Sequence, residues 1–229
     1  MLRSIIEKTT KAACYFKRHR MISPAGRQLK INLGCGLAVA KGWINVDGSL
    51  NALVSTWPKP VHKIFYSVSG ANRYYSREAY CSLLEEHLFV HHDLSYGIPF
   101  PEESADFVYT SHFLEHLHKV HAMKLLNESY RVLKPGGTIR ICVPDLACAL
   151  TLYSAGQKEK MLENYFFIED NGNNFASHKY MYDFDLLRMK LAGAGFTSVA
   201  RREFREGLTP DLDILDNRQE DTLYVEASK

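Results

Sequence analysis

The feature that most constrains this chain is an alternation. Beyond about residue 28, short apolar runs trade places with stretches of helical periodicity, the pattern of a parallel sheet wound with crossover segments. Strands are expected at Lys30–Leu33, Trp43–Val46, Leu88–His91, Asp106–Thr110, Thr138–Val143, Thr197–Phe204 and Thr222–Ala227. The clearest helix covers about Lys119–Leu133, where Ala122, Leu125, Leu126, Ser129 and Leu133 recur at three- and four-residue spacing and Lys134-Pro135-Gly136-Gly137 ends it. A second helix is expected over Tyr182–Ala194, closed by Gly195. Seven strands joined mostly by helices make an open, twisted α/β sheet. Ligands of such sheets bind at the carboxyl ends of the strands.

The 229 residues, 46% hydrophobic and 24% charged, suit one soluble globular unit with a real core. Residues 29–229 are read as that unit, with an aromatic, irregular insertion at about 50–86 and a lid segment at about 153–182. No run of 18 apolar residues occurs, and Glu7, Lys8 and Lys11 interrupt the N-terminus where a secretory signal would be apolar. The five cysteines, Cys14, Cys35, Cys81, Cys142 and Cys148, are odd in number and contain no C-x-x-C pair. That argues against a disulfide framework or zinc ribbon and fits a cytoplasmic protein.

The net charge of +2 hides an asymmetry: residues 1–30 hold eight Lys/Arg and one acid, Glu7. Residues 1–28 read as a basic helical extension ending in the Ser-Pro-Ala-Gly turn at Ser23–Gly26. It is either a solvated arm or a surface for an anionic partner, such as a membrane face or a phosphorylated carrier. No pattern for specific nucleic-acid recognition accompanies it.

Lys30-Ile31-Asn32-Leu33-Gly34-Cys35-Gly36 is an apolar strand ending in Gly-x-Gly, where the backbone can turn sharply and approach a ligand. The next strand, Trp43-Ile44-Asn45-Val46-Asp47, closes on an acid that could hold a ribose diol. A nicotinamide fingerprint would need a third glycine where Val39 stands and an acid about 20 residues beyond the loop. Asp47 instead follows Gly36 by 11 positions, with room for one short turn and no full helix. No Walker A sequence is present.

Further landmarks follow in order: His91-His92-Asp93-Leu94, a D-L-x-x-G-I-P-F-P run from Asp93 to Pro101, Ala105-Asp106-Phe107-Val108, Leu114-Glu115-His116-Leu117, and Arg131-Val132-Leu133-Lys134-Pro135-Gly136-Gly137. With L-G-C-G, G-W-I-N-V-D and a terminal L-Y-V-E-A, the ordered set resembles the class I S-adenosylmethionine-dependent methyltransferases of the type-11 group. It is most similar to bacterial members linked to surface-polysaccharide pathways. The resemblance covers about residues 29–228. It implies a Rossmann-like seven-stranded, mostly parallel sheet of order 3-2-1-4-5-7-6 with helices on both faces.

It further implies S-adenosylmethionine as cofactor and S-adenosylhomocysteine as product. Gly34, Cys35 and Gly36 would face the methionine part. Asp47 would bind the ribose hydroxyls, Asp93 the adenine amine with Leu94 beside the ring, and Ser111 with His112 would border the sulfonium. The acceptor implied is a small molecule or glycan, most simply a sugar hydroxyl.

Methyl transfer from a sulfonium is an in-line displacement, so alignment and exclusion of water carry much of the acceleration. A hydroxyl acceptor also needs a base. His112 is the first candidate, or else it only shapes the cofactor pocket. Asp145 is the second, or else it caps the helix that starts there. His178 is the third, on a loop over the pocket.

Two other readings compete. His112-x-x-Glu115-His116 matches the inverted zinc-protease pattern H-x-x-E-H, but that pattern belongs inside a helix and here follows a strand. No metal ligand is therefore assigned. A non-catalytic methyltransferase-like binding module is the other reading. It is favoured by Asn32, which stands where the family usually has an acid, and by the short connection after the glycine loop.

Overall fold

The computed structural model describes residues 2–23, 28–166 and 177–229. In chain order the elements are α1 (Leu2–Lys17), β1 (Lys30–Leu33), β2 (Ile44–Asp47), α2 (Leu50–Val54), α3 (Lys59–Phe65), α4 (Arg77–Glu86), β3 (Leu88–His91), β4 (Ala105–Ser111), α5 (Lys119–Val132), β5 (Leu133–Pro144), α6 (Leu146–Ser154), α7 (Lys158–Tyr165), α8 (Phe184–Gly193), β6 (Thr197–Arg202), α9 (Leu212–Leu215) and β7 (Thr222–Ser228). Short 3-10 turns lie at Ala71–Arg73, Leu94–Tyr96 and Leu114–His116. Among the described residues no helix is long and apolar enough to cross a membrane.

The sheet has seven strands in the order β3-β2-β1-β4-β5-β7-β6, with β7 antiparallel to both of its neighbours. This is the class I methyltransferase fold. Side chains alternate between faces along each strand, so register sorts them into rows. One row reads Ile44–Ile31–Val108–Ile139–Ala227 and packs into the larger core with Leu125, Leu126 and Leu187. The adjacent row, on the opposite face, is polar: Asn45–Asn32–Tyr109–Arg140–Glu226. Trp43, Tyr109, Leu212, Leu215 and Tyr224 form a smaller core on that face.

The polar row is internally satisfied. Asn32 Nδ2 donates to Ala38 O (2.8 Å) and to Asn45 Oδ1 (3.1 Å), tying the segment after the glycine loop to β2. An acid at this position could not donate those bonds. Arg140, fully buried, donates to Asp216 and to the carbonyls of Glu203 and Glu206. Glu226 accepts from the N–H groups of Leu208 and Thr209. Burial would raise the Glu226 carboxyl, but these N–H donors outweigh it and hold the group below its usual range. Because Glu203 turns its carbonyl toward Arg140, β6 ends at Arg202 and stops short of Phe204.

The motifs that carry the resemblance act as clasps in the scaffold. Arg131 donates to both oxygens of Glu128 and to the carbonyls of Ile98 and Phe100, while Ile98 N–H donates to Glu128 (3.0 Å). This joins α5 to the G-I-P-F-P loop, where Gly97 has φ +105° and a Cβ would lie 2.7 Å from Glu128. Lys134 holds Asp106, whose carboxylate also accepts from Leu29 N–H (2.7 Å).

Several expectations shift. The 50–86 segment is helical and not irregular: α2, α3 and α4 pack around a small core of Val54, Ala71, Tyr80, Cys81 and Leu84, with Phe65, Tyr66 and Tyr75 against it. Ser76 starts α4 by accepting from Ala79 N–H. Trp43 precedes β2, and Tyr182 precedes α8, whose cap is Asp183 accepting from Leu186 N–H (2.8 Å). The connection between β1 and β2 carries no helix, as the spacing requires. Residues 24–26 of the expected turn and residues 167–176 of the lid segment lie outside the described residues.

Candidate functional site

The carboxyl ends of β1, β2, β3 and β4 converge on the glycine loop, which separates two cavities. The first, of about 660 Å³, is lined by Gly34, Gly36, Asp47, Asp93, Leu94 and His112 among others. The second, of about 490 Å³, includes Cys35, Ser111, Asn51, Tyr74, Tyr75 and Arg218. Gly34, Gly36 and His112 border both.

The two glycines do different work. Gly34 has φ +63°, and a Cβ there would lie 2.2 Å from the ring of Phe113, so its bare Cα is covered by protein. Gly36 has φ +53° and nothing within 4 Å of a built Cβ, so its bare side faces open space. Asp47 braces the loop: Oδ2 accepts from Gly36 N–H (2.9 Å) and Oδ1 from Ser49 N–H (2.7 Å). Each oxygen keeps a lone pair for a further donor such as a ribose hydroxyl. Asp93 starts the 3-10 turn through Oδ1 to Ser95 N–H (2.9 Å), leaving Oδ2 for an exocyclic amine. Leu94 beside it is buried in the main core. An open glycine, two part-free carboxylates and an apolar side chain around one cavity fit S-adenosylmethionine, the group the fold implies.

The basic helix α1 forms part of this site. Lys11 and Cys14 line the first cavity, and Cys14 Sγ lies 3.3 Å from His91 Nε2. Burial, then the neighbouring Asp93, pushes the Cys14 thiol up to about 11, and burial holds the His91 imidazole down to about 4. The sequence offered no signal for this contact, since Cys14 and His91 are separated by 77 positions.

His112 follows β4 with φ +48°, a left-handed conformation that a non-glycine residue adopts only when its surroundings hold it there. Its N–H donates to Cys142 O (2.9 Å), and its ring Nε2 lies 3.3 Å from Thr222 Oγ1. His178 is not among the cavity-lining residues. It sits behind His116, with Nε2 3.9 Å from Glu115 Oε1, and burial lowers its imidazole below the usual value. Asp145 is nearly inaccessible: Oδ1 accepts from Ala147 N–H (2.9 Å) at the start of α6 and Oδ2 from Arg201 (2.9 Å). Both of its oxygens are engaged, and it lines neither cavity. Glu115, quoted in the L-E-H-L landmark and in the protease-like pattern, lies at the centre of the histidine cluster.

Comparison with known proteins agrees with this architecture. Residues 62–141 match a family model described as a methyltransferase domain, a stretch that includes β3, β4 and most of β5 but not the glycine loop or Asp47. A SAM-dependent methyltransferase from Archaeoglobus fulgidus has a similar fold, with TM-score 0.52 and 17% identity over 99% of this chain and 94% of that one. Human N-acetylserotonin methyltransferase in complex with SAM gives TM-score 0.50 and 17% identity, over 88% of this chain and 47% of that one. The methyltransferase SibL in its apo form gives TM-score 0.53 and 19% identity over 88% and 50%. No curated protein matches the sequence. The domain match and the fold support an S-adenosylmethionine-dependent methyltransferase.

Proposed function

We propose that this chain transfers a methyl group from S-adenosylmethionine to a hydroxyl of a small-molecule or glycan acceptor, most simply a sugar. The observation that carries the reading is the glycine loop standing between two cavities that share His112. In this reading the first cavity takes the nucleoside: Asp47 binds the ribose hydroxyls, Asp93 the adenine amine, and Leu94 packs on the ring. S-adenosylmethionine would supply an electrophilic methyl on a sulfonium sulfur. The open side of Gly36 lets the backbone approach the methionine part, which Gly34 and Cys35 would flank, and Ser111 and His112 border the sulfonium.

The second cavity takes the acceptor. Its Tyr74 and Tyr75 rings, with Asn51, Ser69, Asn217 and Arg218, combine flat apolar faces with hydrogen-bonding groups. A polyhydroxylated ring needs both. His112 accepts the proton of the attacking hydroxyl as the methyl is transferred. It is favoured over Asp145 and His178 because it borders both cavities and they line neither. The fully buried Glu115 Oε1 lies 3.5 Å from His112 Nδ1. The basic arm acts here as a wall of the cofactor cavity through Lys11 and Cys14, and an anionic carrier or membrane face could meet its outer side.

The test is a His112→Ala variant. Calorimetry should find S-adenosylhomocysteine binding close to wild type, while turnover of a hydroxyl acceptor falls by about 10²–10⁴-fold. Unchanged turnover removes His112 as the base. Failure of the wild type to methylate any of a panel of sugar and phenolic hydroxyls removes the acceptor class.

A further inference from the structure

Glu115 is fully buried, and among the described residues neither of its carboxylate oxygens accepts a hydrogen bond. Three imidazoles surround Oε1: His112 Nδ1 at 3.5 Å, His116 Nε2 at 3.7 Å and His178 Nε2 at 3.9 Å. These are ion-pair distances without hydrogen-bond geometry. The far side of two of the rings fixes their tautomers. His178 Nδ1 lies 2.7 Å from Tyr165 O and His116 Nδ1 3.4 Å from Ser177 O. A carbonyl only accepts, so Nδ1 carries the hydrogen in each ring, and the Nε2 turned toward Glu115 is a bare lone pair in the neutral imidazole. Bare nitrogens converging on a bare, buried carboxylate repel one another unless a cation lies between them.

We propose that Glu115, His116 and His178 bind one divalent ion of the zinc class. The donor set is two borderline imidazoles and one hard carboxylate, a combination that suits zinc and its first-row neighbours. The three ligand atoms lie within 4.8 Å of one another. Tetrahedral zinc with bonds of about 2.0–2.1 Å sets its ligands roughly 3.4 Å apart, so the Glu115 pairs need close by only a few tenths of an ångström. The outer hydrogen bonds to Tyr165 O and Ser177 O are the supports that metal-bound histidines ordinarily have.

The backbone is fixed around the site as well. Lys179 and Tyr180 N–H donate to Glu115 O at 2.7 and 3.1 Å, holding the segment that carries His178 against the turn that carries Glu115 and His116. The grouping differs from the H-x-x-E-H reading, because His178 replaces His112 as the second imidazole. No fourth donor joins the group among the described residues. His112 Nδ1, buried and without a hydrogen-bond partner among the described residues, borders the site. The assignment stands whether or not the chain transfers methyl groups.

The test uses the full chain, freed of any affinity tag, loaded with zinc and passed through a desalting column. Mass spectrometry of the metal should count one zinc per chain, and the cobalt-substituted protein should show the visible bands of a low-symmetry, four- or five-coordinate site. X-ray absorption at the zinc edge should show two imidazoles in the first shell. His116→Ala and His178→Ala should each weaken zinc affinity by at least about 100-fold against a competing chelator. His87→Ala, at a residue outside the cluster, should keep it. Substoichiometric zinc in the loaded wild type, a first shell without imidazole, or unchanged affinity in the variants overturns the proposal. The absorption measurement on the wild type decides the matter even if a variant fails to fold.

Discussion

Two buried ionic clusters lie in this molecule, and they are built on opposite plans. Around Arg140, two buried carboxylates, Asp216 and Glu226, meet a buried guanidinium and a set of backbone donors and acceptors. Around Glu115, a carboxylate equally removed from solvent meets three imidazoles, and among the described residues its oxygens accept no hydrogen bond. The first cluster fastens β4, β5, β7 and the chain after β6 together, and none of Arg140, Asp216 and Glu226 lines either cavity. The second borders the cavity-lining His112 and His116. A satisfied network stabilises and specifies a fold. Bare buried polar atoms cost stability, and they persist where a ligand or a reaction uses them.

Breaking the satisfied cluster should have the largest effect. Arg140→Met leaves Asp216 buried without its cation and Glu226 with Arg202 alone, and urea denaturation should show a loss of about 3–5 kcal/mol. A loss below about 1 kcal/mol would mean that the network is not the fastening described here.

Acid should separate the regions next. The folded His91 imidazole is held at about 4 against an ordinary 6.5, with burial the main cause. A lowered folded value means its contribution is complete above pH 6.5 and is lost as pH falls toward 4. That window corresponds to about 3 kcal/mol, falling on the contact between α1 and β3. Glu226, held below the usual carboxylate range, keeps its contribution until the pH is lower still. Hydrogen exchange across this range should therefore open α1 before β7, and His91→Gln should flatten the slope of stability against pH between 6.5 and 4.

The smallest effect belongs to Glu115 itself. With a chelator present, Glu115→Gln removes a buried charge that has no hydrogen-bond partner, so thermal stability should hold or rise by up to about 1 kcal/mol. A large loss would mean that Glu115 is a structural carboxylate like Glu226.

The same contrast marks what could be read from the sequence. β1 and β3 are where their apolar runs place them, residue for residue, and Asp145 is the helix cap that one of its two readings gave. Arg131, Asp106 and Lys134 of the two clasps lie inside the quoted motifs, while Glu128, three residues before Arg131, lies just outside them. The helices of the 50–86 segment were not legible. α2 and α3 span 5 and 7 residues, too few for a 3.6-residue period to show. Cys14 meeting His91, and His178 meeting Glu115, are closures over 77 and 63 positions. They depend on how α1 and the segment after α7 pack, and no local pattern records that. Asn32 looked like a departure from the family's acid. In the structure it is a donor that binds the glycine-loop connection to β2.

The central claim is that the glycine loop and Asp47 hold S-adenosylmethionine. Isothermal titration calorimetry of the cofactor and of S-adenosylhomocysteine against wild type and Asp47→Ala tests it directly. One site per chain is expected in the wild type. Losing two charge-assisted hydrogen bonds should weaken it by at least about 10-fold in the variant. Absence of binding to the wild type, or equal affinity in Asp47→Ala, would contradict the account.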